Sequence, residues 1–203
     1  KPDYLASASE LPWRKARLSL EAQTGTRTIG TLDAMIPFMG NDDFIVYADL
    51  MAKGQTNKAF EGNVGLGFRR VNDAETAIFG MYAFYDVLKS VNNNQFTQVT
   101  VGAERLGLVW DFRANAYLPV GKTKYVSTIY EGGKAQIVEH NIIEYVQTRD
   151  ETLSYGGDVE VGRIIGTNKL RGYVAMYTFG ENLTGPRARL EYQMNSHITL
   201  NTA

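Results

Sequence analysis

The sequence predicts an all-β fold, an antiparallel up-and-down meander, and three observations carry that prediction. Between Trp110 and Leu118 the residues alternate without a break, with Asp111, Arg113, Asn115 and Tyr117 on one face and Trp110, Phe112, Ala114, Ala116 and Leu118 on the other. That two-residue period marks a strand between two different environments. The same period recurs at 62–69, 97–104 and 187–194. The runs are about ten residues long, longer than the usual five or six of soluble strands, and turn chemistry rather than a helix-sized crossover separates them.

Residues 1–13 contain Pro2 and Pro12 without a sustained period and read as a lead-in segment, which leaves 14–203 as one folded domain. From Arg14 the apolar Ala16, Leu18, Leu20 and Ala22 alternate with Lys15, Arg17, Ser19 and Glu21. A second run from Ile29 to Phe38 ends at Pro37, and Met39-Gly40-Asn41-Asp42-Asp43 is a turn of residues that tolerate left-handed or side-chain-capped conformations. In the third run Phe44, Val46, Ala48, Leu50 and Ala52 oppose Ile45, Tyr47, Asp49, Met51 and Lys53. The fourth opposes Glu61, Asn63, Gly65, Gly67 and Arg69 to Gly62, Val64, Leu66 and Phe68, and a fifth spans Ala77 to Asp86. Phe96 to Glu104 is the sixth run and Trp110 to Leu118 the seventh.

Gly121 to Tyr155 is too long for a tight hairpin and too patterned for disorder, so it is expected to be a folded loop. Gly132-Gly133 could turn a small hairpin there, and a short helix around Val138 to Val146 fits the apolar spacing equally. Runs at 157–164, 170–179 and 187–194 follow, and His197 to Ala203 opens another. The total is about ten complete strands plus the start of an eleventh.

Composition narrows the function classes. With 21 basic and 22 acidic residues and a net charge of -1, the chain lacks the basic face that nucleic-acid binding needs. It has no cysteine, hence no thiol nucleophile, thiolate metal site or disulfide framework. A mean hydropathy of -0.25 is compatible with a soluble protein, but a transmembrane β-barrel alternates lipid-facing and water-facing residues and averages to a similar value. About ten residues is also what a tilted strand needs to cross a bilayer core. As the interior of a soluble barrel, the polar faces would bury many charges at several kcal/mol each unless paired. As the outside of a soluble sandwich they would cost nothing. Against a sandwich, aromatics gather near strand ends, with Phe38, Phe44, Phe68, Trp110 and Tyr192 at one set and Tyr85, Tyr177 and Phe179 at the other, as interfacial girdles would.

No catalytic constellation emerges. His140 and His197 are far apart, and no Gly-x-Ser-x-Gly motif occurs. Asp158 and Glu160 share a strand face as paired acids could, but Arg or Lys on neighbouring strands is the simpler expectation for them. Gly62, Gly65 and Gly67 imitate a phosphate loop, yet they lie within a strand with no helix after it, where small residues let a sheet bend.

Several short motifs fall in a consistent order: Ser19-Leu-Glu21, Leu32-Asp33 through Ile36-Pro37-Phe38, Asn63-Val-Gly-Leu-Gly-Phe-Arg-Arg70, Ala83-Phe-Tyr-Asp86, Val101-Gly-Ala-Glu104, Asn115-Ala-Tyr-Leu-Pro119, Gly157-Asp-Val-Glu160, and Arg187-Ala-Arg-Leu-Glu-Tyr192 with Ile198-Thr-Leu200. In this order and spacing the chain from Arg17 onward resembles the β-barrel domain of inverse autotransporters of the intimin and invasin family. The resemblance implies a bacterial outer-membrane barrel with an even number of strands, twelve. It also implies outer-membrane lipid as the surrounding partner, a C-terminal adhesin passenger or its linker in the lumen, a host-cell receptor reached only through that passenger, and no reaction catalysed. No cofactor, metal or nucleic-acid partner is expected.

Under this resemblance the turns near Asn41, Asn72, Arg105, Thr167 and Asn195 face the periplasm, and the loops around Gln55, Asn93, 121–155 and Asn182 are extracellular. The lumen set is Arg17, Glu21, Asp49, Glu61, Asn63, Arg69, Asp86, Glu104, Asp111, Arg113, Asn115, Asp158, Glu160, Arg187, Arg189 and Glu191. The shortfall against twelve strands makes Ala203 an expected truncation point, with two further strands following. A porin-like barrel without passenger, and less so a soluble β-sandwich binding module, are the alternatives. On the barrel reading, Asp placed at Ala114 should block membrane assembly while Asn115→Asp should be tolerated.

Overall fold

The computed structural model describes residues 15–23, 28–130, 136–138, 141–143, 146–166, 169–181, 183–193 and 199–202. The lead-in segment 1–13, His140 and His197 lie outside the described residues. Strands are the only regular elements among those described: β1 (Arg17–Gln23), β2 (Ile29–Gly40), β3 (Phe44–Gln55), β4 (Phe60–Val71), β5 (Ala77–Lys89), β6 (Gln95–Gly107), β7 (Trp110–Val120), β8 (Lys124–Tyr130), β9 (Gln136–Val138), β10 (Asn141–Ile143), β11 (Val146–Thr152), β12 (Gly156–Ile164), β13 (Leu170–Phe179), β14 (Leu183–Gln193) and β15 (Thr199–Thr202). Eleven of them form one antiparallel sheet in the order β1-β2-β3-β4-β5-β6-β7-β12-β13-β14-β15. The ten full runs and the opening eleventh of the sequence correspond one for one to these strands.

Long, regular ladders hold the sheet together. β5 and β6 pair from Ala77 opposite Gly107 through to Lys89 opposite Gln95 without a slip. The one register shift recorded between β2 and β3 lies between Pro37 and Met39, where proline has no N–H to give the ladder. The turns are fixed by asparagine. Asn41 Oδ1 accepts from the backbone N–H groups of Asp43 at 2.8 Å and Phe44 at 3.2 Å. Asn72 Oδ1 accepts from those of Thr76 and Ala77, both at 2.8 Å. Each side chain replaces a backbone acceptor in a chain reversal too tight to supply one.

Burial in this sheet is inverted relative to a soluble protein. Asp86, Asp111, Glu104 and Glu160 are at most 6% exposed, whereas Leu20, Leu18 and Val174 are 83%, 70% and 66% exposed. The main sheet has no helix or second sheet over its polar face among the described residues, so that face is buried by the sheet's own curvature. Side chains two strands apart meet there: Arg69 of β4 reaches Glu104 of β6, and Tyr82 of β5 reaches Asn115 of β7. Flat neighbours separated by one strand stand roughly 9–10 Å apart. The polar face is therefore the concave side of a barrel wall.

Two sequence expectations are corrected. The interruption at 121–155 carries strands, with β8 paired to β11 from Tyr130 opposite Val146 to Lys124 opposite Thr152, and β9 paired to β10. β9, β10 and the start of β11 occupy the stretch where a helix fitted the spacing, because the apolar residues serve two short paired strands instead. Gly132-Gly133 lies outside the described residues. Tyr177 and Phe179 also do not belong to an outer girdle. They share parity with the buried Tyr173 and Ala175, so they point to the concave side, where Phe179 meets the ring of Tyr117 at 5.2 Å.

Candidate functional site

The concave face carries a belt of alternating charge across β4 to β14. Arg69 Nε donates to Glu104 Oε1 at 2.6 Å, and Arg113 Nε approaches the other oxygen of Glu104 at 3.4 Å. Arg113 Nη1 continues to Glu160 Oε1 at 2.9 Å. Arg189 then grips both oxygens of Glu160, Nε and Nη2 each at 2.9 Å, and its Nη1 reaches Glu191 at 3.2 Å. Arg187 adds a longer contact to Glu160 at 3.8 Å. Guanidinium and carboxylate match as planar forks, so one carboxylate can hold two or three arginines in fixed directions. The order Arg69, Glu104, Arg113, Glu160, Arg189, Glu191 leaves no run of like charge.

Aromatic rings fill the spaces between these charges. The Arg69 guanidinium lies 5.1 Å over Tyr47, and Arg113 and Arg189 lie 5.6 and 3.6 Å over Tyr173, each a cation held against a π face. Room for the rings comes from cross-strand glycines. Gly65 stands opposite Phe84, Gly67 opposite Tyr47, Gly102 opposite Tyr82, and Gly162 opposite Tyr173. A Cβ on Gly65 would come within 2.5 Å of the Ala83 carbonyl oxygen as well as striking the Phe84 ring. The glycines of the Asn63–Arg69 run are thus seats for rings, and the sheet bends over them.

Neutral donors hold Asp158 and Asp86 and share Asp111 with an arginine. Asp158 accepts from Asn115 Nδ2 at 3.0 Å and from the Tyr117 hydroxyl at 2.5 Å, which revises the expectation that a cation neutralises it. Asp111 accepts from Arg171 Nη1 at 2.7 Å, the Tyr173 hydroxyl at 2.9 Å and the Gly107 N–H at 3.0 Å. Asp86, 1% exposed, is held by Thr100 and by Gln98 Nε2 at 3.1 Å. Because Asn115 donates to Asp158, Asn115→Asp would set two carboxylates together, and that substitution is no neutral control.

The remaining sequence-selected residues lie on the same face with weaker ties. Arg17 sits 3.6 Å from Asp33, Glu61 3.4 Å from Lys53, and Asn63 Nδ2 3.4 Å from Glu61. Asp49 stands opposite Gly65. The backbone of Glu21 pairs with Thr31, and its side chain lies outside the description. Sequence reasoning missed Arg171, Tyr173, Tyr47 and Tyr82. Arg171 and Tyr173 could have been found from their alternation with Gly172, Val174 and Met176 on the opposite face of the run. The two tyrosines needed the register, since nothing local marks a ring that will lie over a glycine on the next strand.

An inverse autotransporter β-domain family model matches residues 6–182. The chain belongs to that family. As an inverse autotransporter β-domain it is, in general terms, an outer-membrane translocator barrel. A solved structure described as "Unveiling the Mechanism Behind the in-meso Crystallization of Membrane Proteins" is similar over 87% of this chain and 69% of its own, with a TM-score of 0.64 and 14% identity. That likeness concerns the fold alone. No curated protein sequence matches the chain.

Proposed function

We propose that this barrel anchors a C-terminal surface adhesin passenger in the bacterial outer membrane and exports it through the lumen, with the turn edge at Asn41 and Asn72 facing the periplasm. The observation that carries this reading, beside family membership, is the self-satisfied belt from Arg69 to Glu191. Each charge on it is engaged by an opposite charge of the wall, so an extended polypeptide passing along it meets a hydrated surface without a strong unpaired site to hold it. The predicted lumen set, Arg17 to Glu191, is then the wall of the translocation path. The edge bearing β8–β11 lies at the cell exterior, where a long paired hairpin is unconstrained by lipid.

Surface labelling of intact cells expressing the full-length protein tests this. An epitope C-terminal to the barrel is expected to bind antibody on unpermeabilised cells. Binding only after the outer membrane is opened would contradict export, and a full reading frame with no segment beyond the barrel would favour a porin-like role.

A further inference from the structure

The outer face of the main sheet from β2 to β14, the β8–β11 ribbon aside, is uncharged over most of its height. Its charged positions among the described residues are Lys89 at one end and Arg70, Arg105 and Arg163 at the other. The three arginines sit one or two residues from their strand ends and interleave with rings. Phe44 stands opposite Arg70, Arg70 opposite Phe79, Phe79 opposite Arg105, and Arg105 opposite Phe112. One step nearer the turns, Trp110 stands opposite Arg163.

These arginines are not equivalent. Arg70 approaches Asp73 at 4.0 Å. Arg105 and Arg163 have no carboxylate partner among the described residues. The Arg105 guanidinium lies 5.9 Å over Phe112, with Nη1 donating to the Trp110 carbonyl oxygen at 3.3 Å, and Arg163 lies 4.9 Å over the Trp110 ring. Beside Arg163 is a shallow cavity of about 700 Å³ lined by Trp110, Arg163, Ile165, Gly172, Val174 and Leu190. Gly172 is the cross-strand partner of Arg163, and the Ile165 side chain lies over it as part of the apolar lining.

We propose that Arg105 and Arg163, set around Trp110 and Phe112, bind the phosphate of a membrane glycerophospholipid whose acyl chain lies in the adjoining apolar cavity. This rests on the reading that the outer face meets lipid. An unpaired guanidinium on such a face is costly unless it reaches an anion at the headgroup level. Its fork matches two phosphate oxygens, and the rings beneath fix its direction without competing for its donors. Tryptophan is at home at the same depth. Charge and an apolar trough together specify a phospholipid, because a free anion needs no trough and a neutral lipid needs no arginine.

The test uses the full-length protein with Trp13→Phe, leaving Trp110 as the fluorophore of the barrel domain, in uncharged maltoside micelles. It is titrated with short-chain phosphatidylglycerol, with diacylglycerol of the same chains, and with inorganic phosphate. Phosphatidylglycerol is expected to give a saturable Trp110 response at concentrations on the order of tenfold below the other two. Arg105→Gln with Arg163→Gln should raise its half-saturation by a similar factor, and Arg70→Gln should leave it unchanged. Should the double variant fail to assemble, Arg163→Gln alone is expected to give a smaller rise. Equal response to diacylglycerol, equal response to inorganic phosphate, or arginine variants that titrate like the parent would each overturn the site. Flotation with phosphatidylcholine vesicles separates the two levels. Protein that does not float contradicts the lipid-facing reading itself, while protein that floats without phosphate preference contradicts only this proposal.

Discussion

On β7 two sets of side chains one residue apart obey opposite rules. Asp111, Arg113, Asn115 and Tyr117 each make a side-chain hydrogen bond to another strand of the concave face. Trp110, Phe112 and Leu118 are 43%, 44% and 41% exposed on the convex face. The inner set is specified by polar partners, and the outer set mainly by its solvent, with Trp110 and Phe112 also lying under Arg163 and Arg105. Substitutions on the inner face should therefore be judged by what they leave unpaired, and substitutions on the outer face by what they carry into lipid.

The largest effect is expected at the centre of the belt. Glu160→Ala strips Arg113, Arg187 and Arg189 of a shared carboxylate, and losing one partner of a buried pair costs about 3–5 kcal/mol. Urea unfolding in detergent should show that loss, and Glu160→Gln should recover only a small part of it. A change within about 1 kcal/mol of wild type would mean lumen water replaces the belt at little cost.

Next is Ala114→Arg on the lipid face, expected to destabilise by about 2–4 kcal/mol through burial of a charge in hydrocarbon. Vesicle insertion yield measures it. The same charge at Leu118, nearer the strand end, should cost less, and equal costs would argue against a depth-dependent apolar band. Gly65→Ala sharpens the comparison further, because it changes neither charge nor solvent. Its Cβ meets backbone at Ala83, and overpacking of this kind costs about 1–3 kcal/mol. Phe84→Ala combined with Gly65→Ala should recover less than the full loss, since the carbonyl contact remains.

The smallest effect belongs to the loop edge. Glu151 of β11 is bonded by Asn92, by Ser90 at 2.8 Å and by Asn94 at 2.7 Å, which pins the β5–β6 loop to the β8–β11 ribbon. Those bonds, led by that from Asn94, hold the Glu151 carboxyl below its ordinary value of 4.5. A depressed carboxylate contributes stability fully above its unfolded pKa and loses it as pH falls through the folded one. Protease protection of residues 90–94 should thus be flat from neutral pH down to about pH 5 and decline below about pH 4. Glu151→Gln should abolish the pH dependence while barrel stability stays unchanged.

The strands were legible because strict alternation over about ten residues leaves one choice of face, as at Trp110 to Leu118. Parity from such a run also placed Arg113 and Glu160 on one side. It could not show that they touch, because register is set by pairing across strands rather than within one. Tyr177 and Phe179 illustrate the limit. Their aromatic character suggested an interface, whereas their parity with Tyr173 places them inward. The 121–155 segment was ambiguous for a different reason: strands of three residues, as in β9 and β10, are too short to display a period of their own.

The central claim is that water lies against the concave face and lipid against the convex one. The chain has no cysteine, so single cysteines from Trp110 to Leu118 can carry spin labels in reconstituted vesicles without background. Accessibility to oxygen should peak at Trp110, Phe112, Ala114, Ala116 and Leu118, and accessibility to a water-soluble nickel chelate at Asp111, Arg113, Asn115 and Tyr117. The two profiles should oscillate with a period of two and opposite phase. Profiles in phase, or high chelate accessibility at Ala114, would contradict the account.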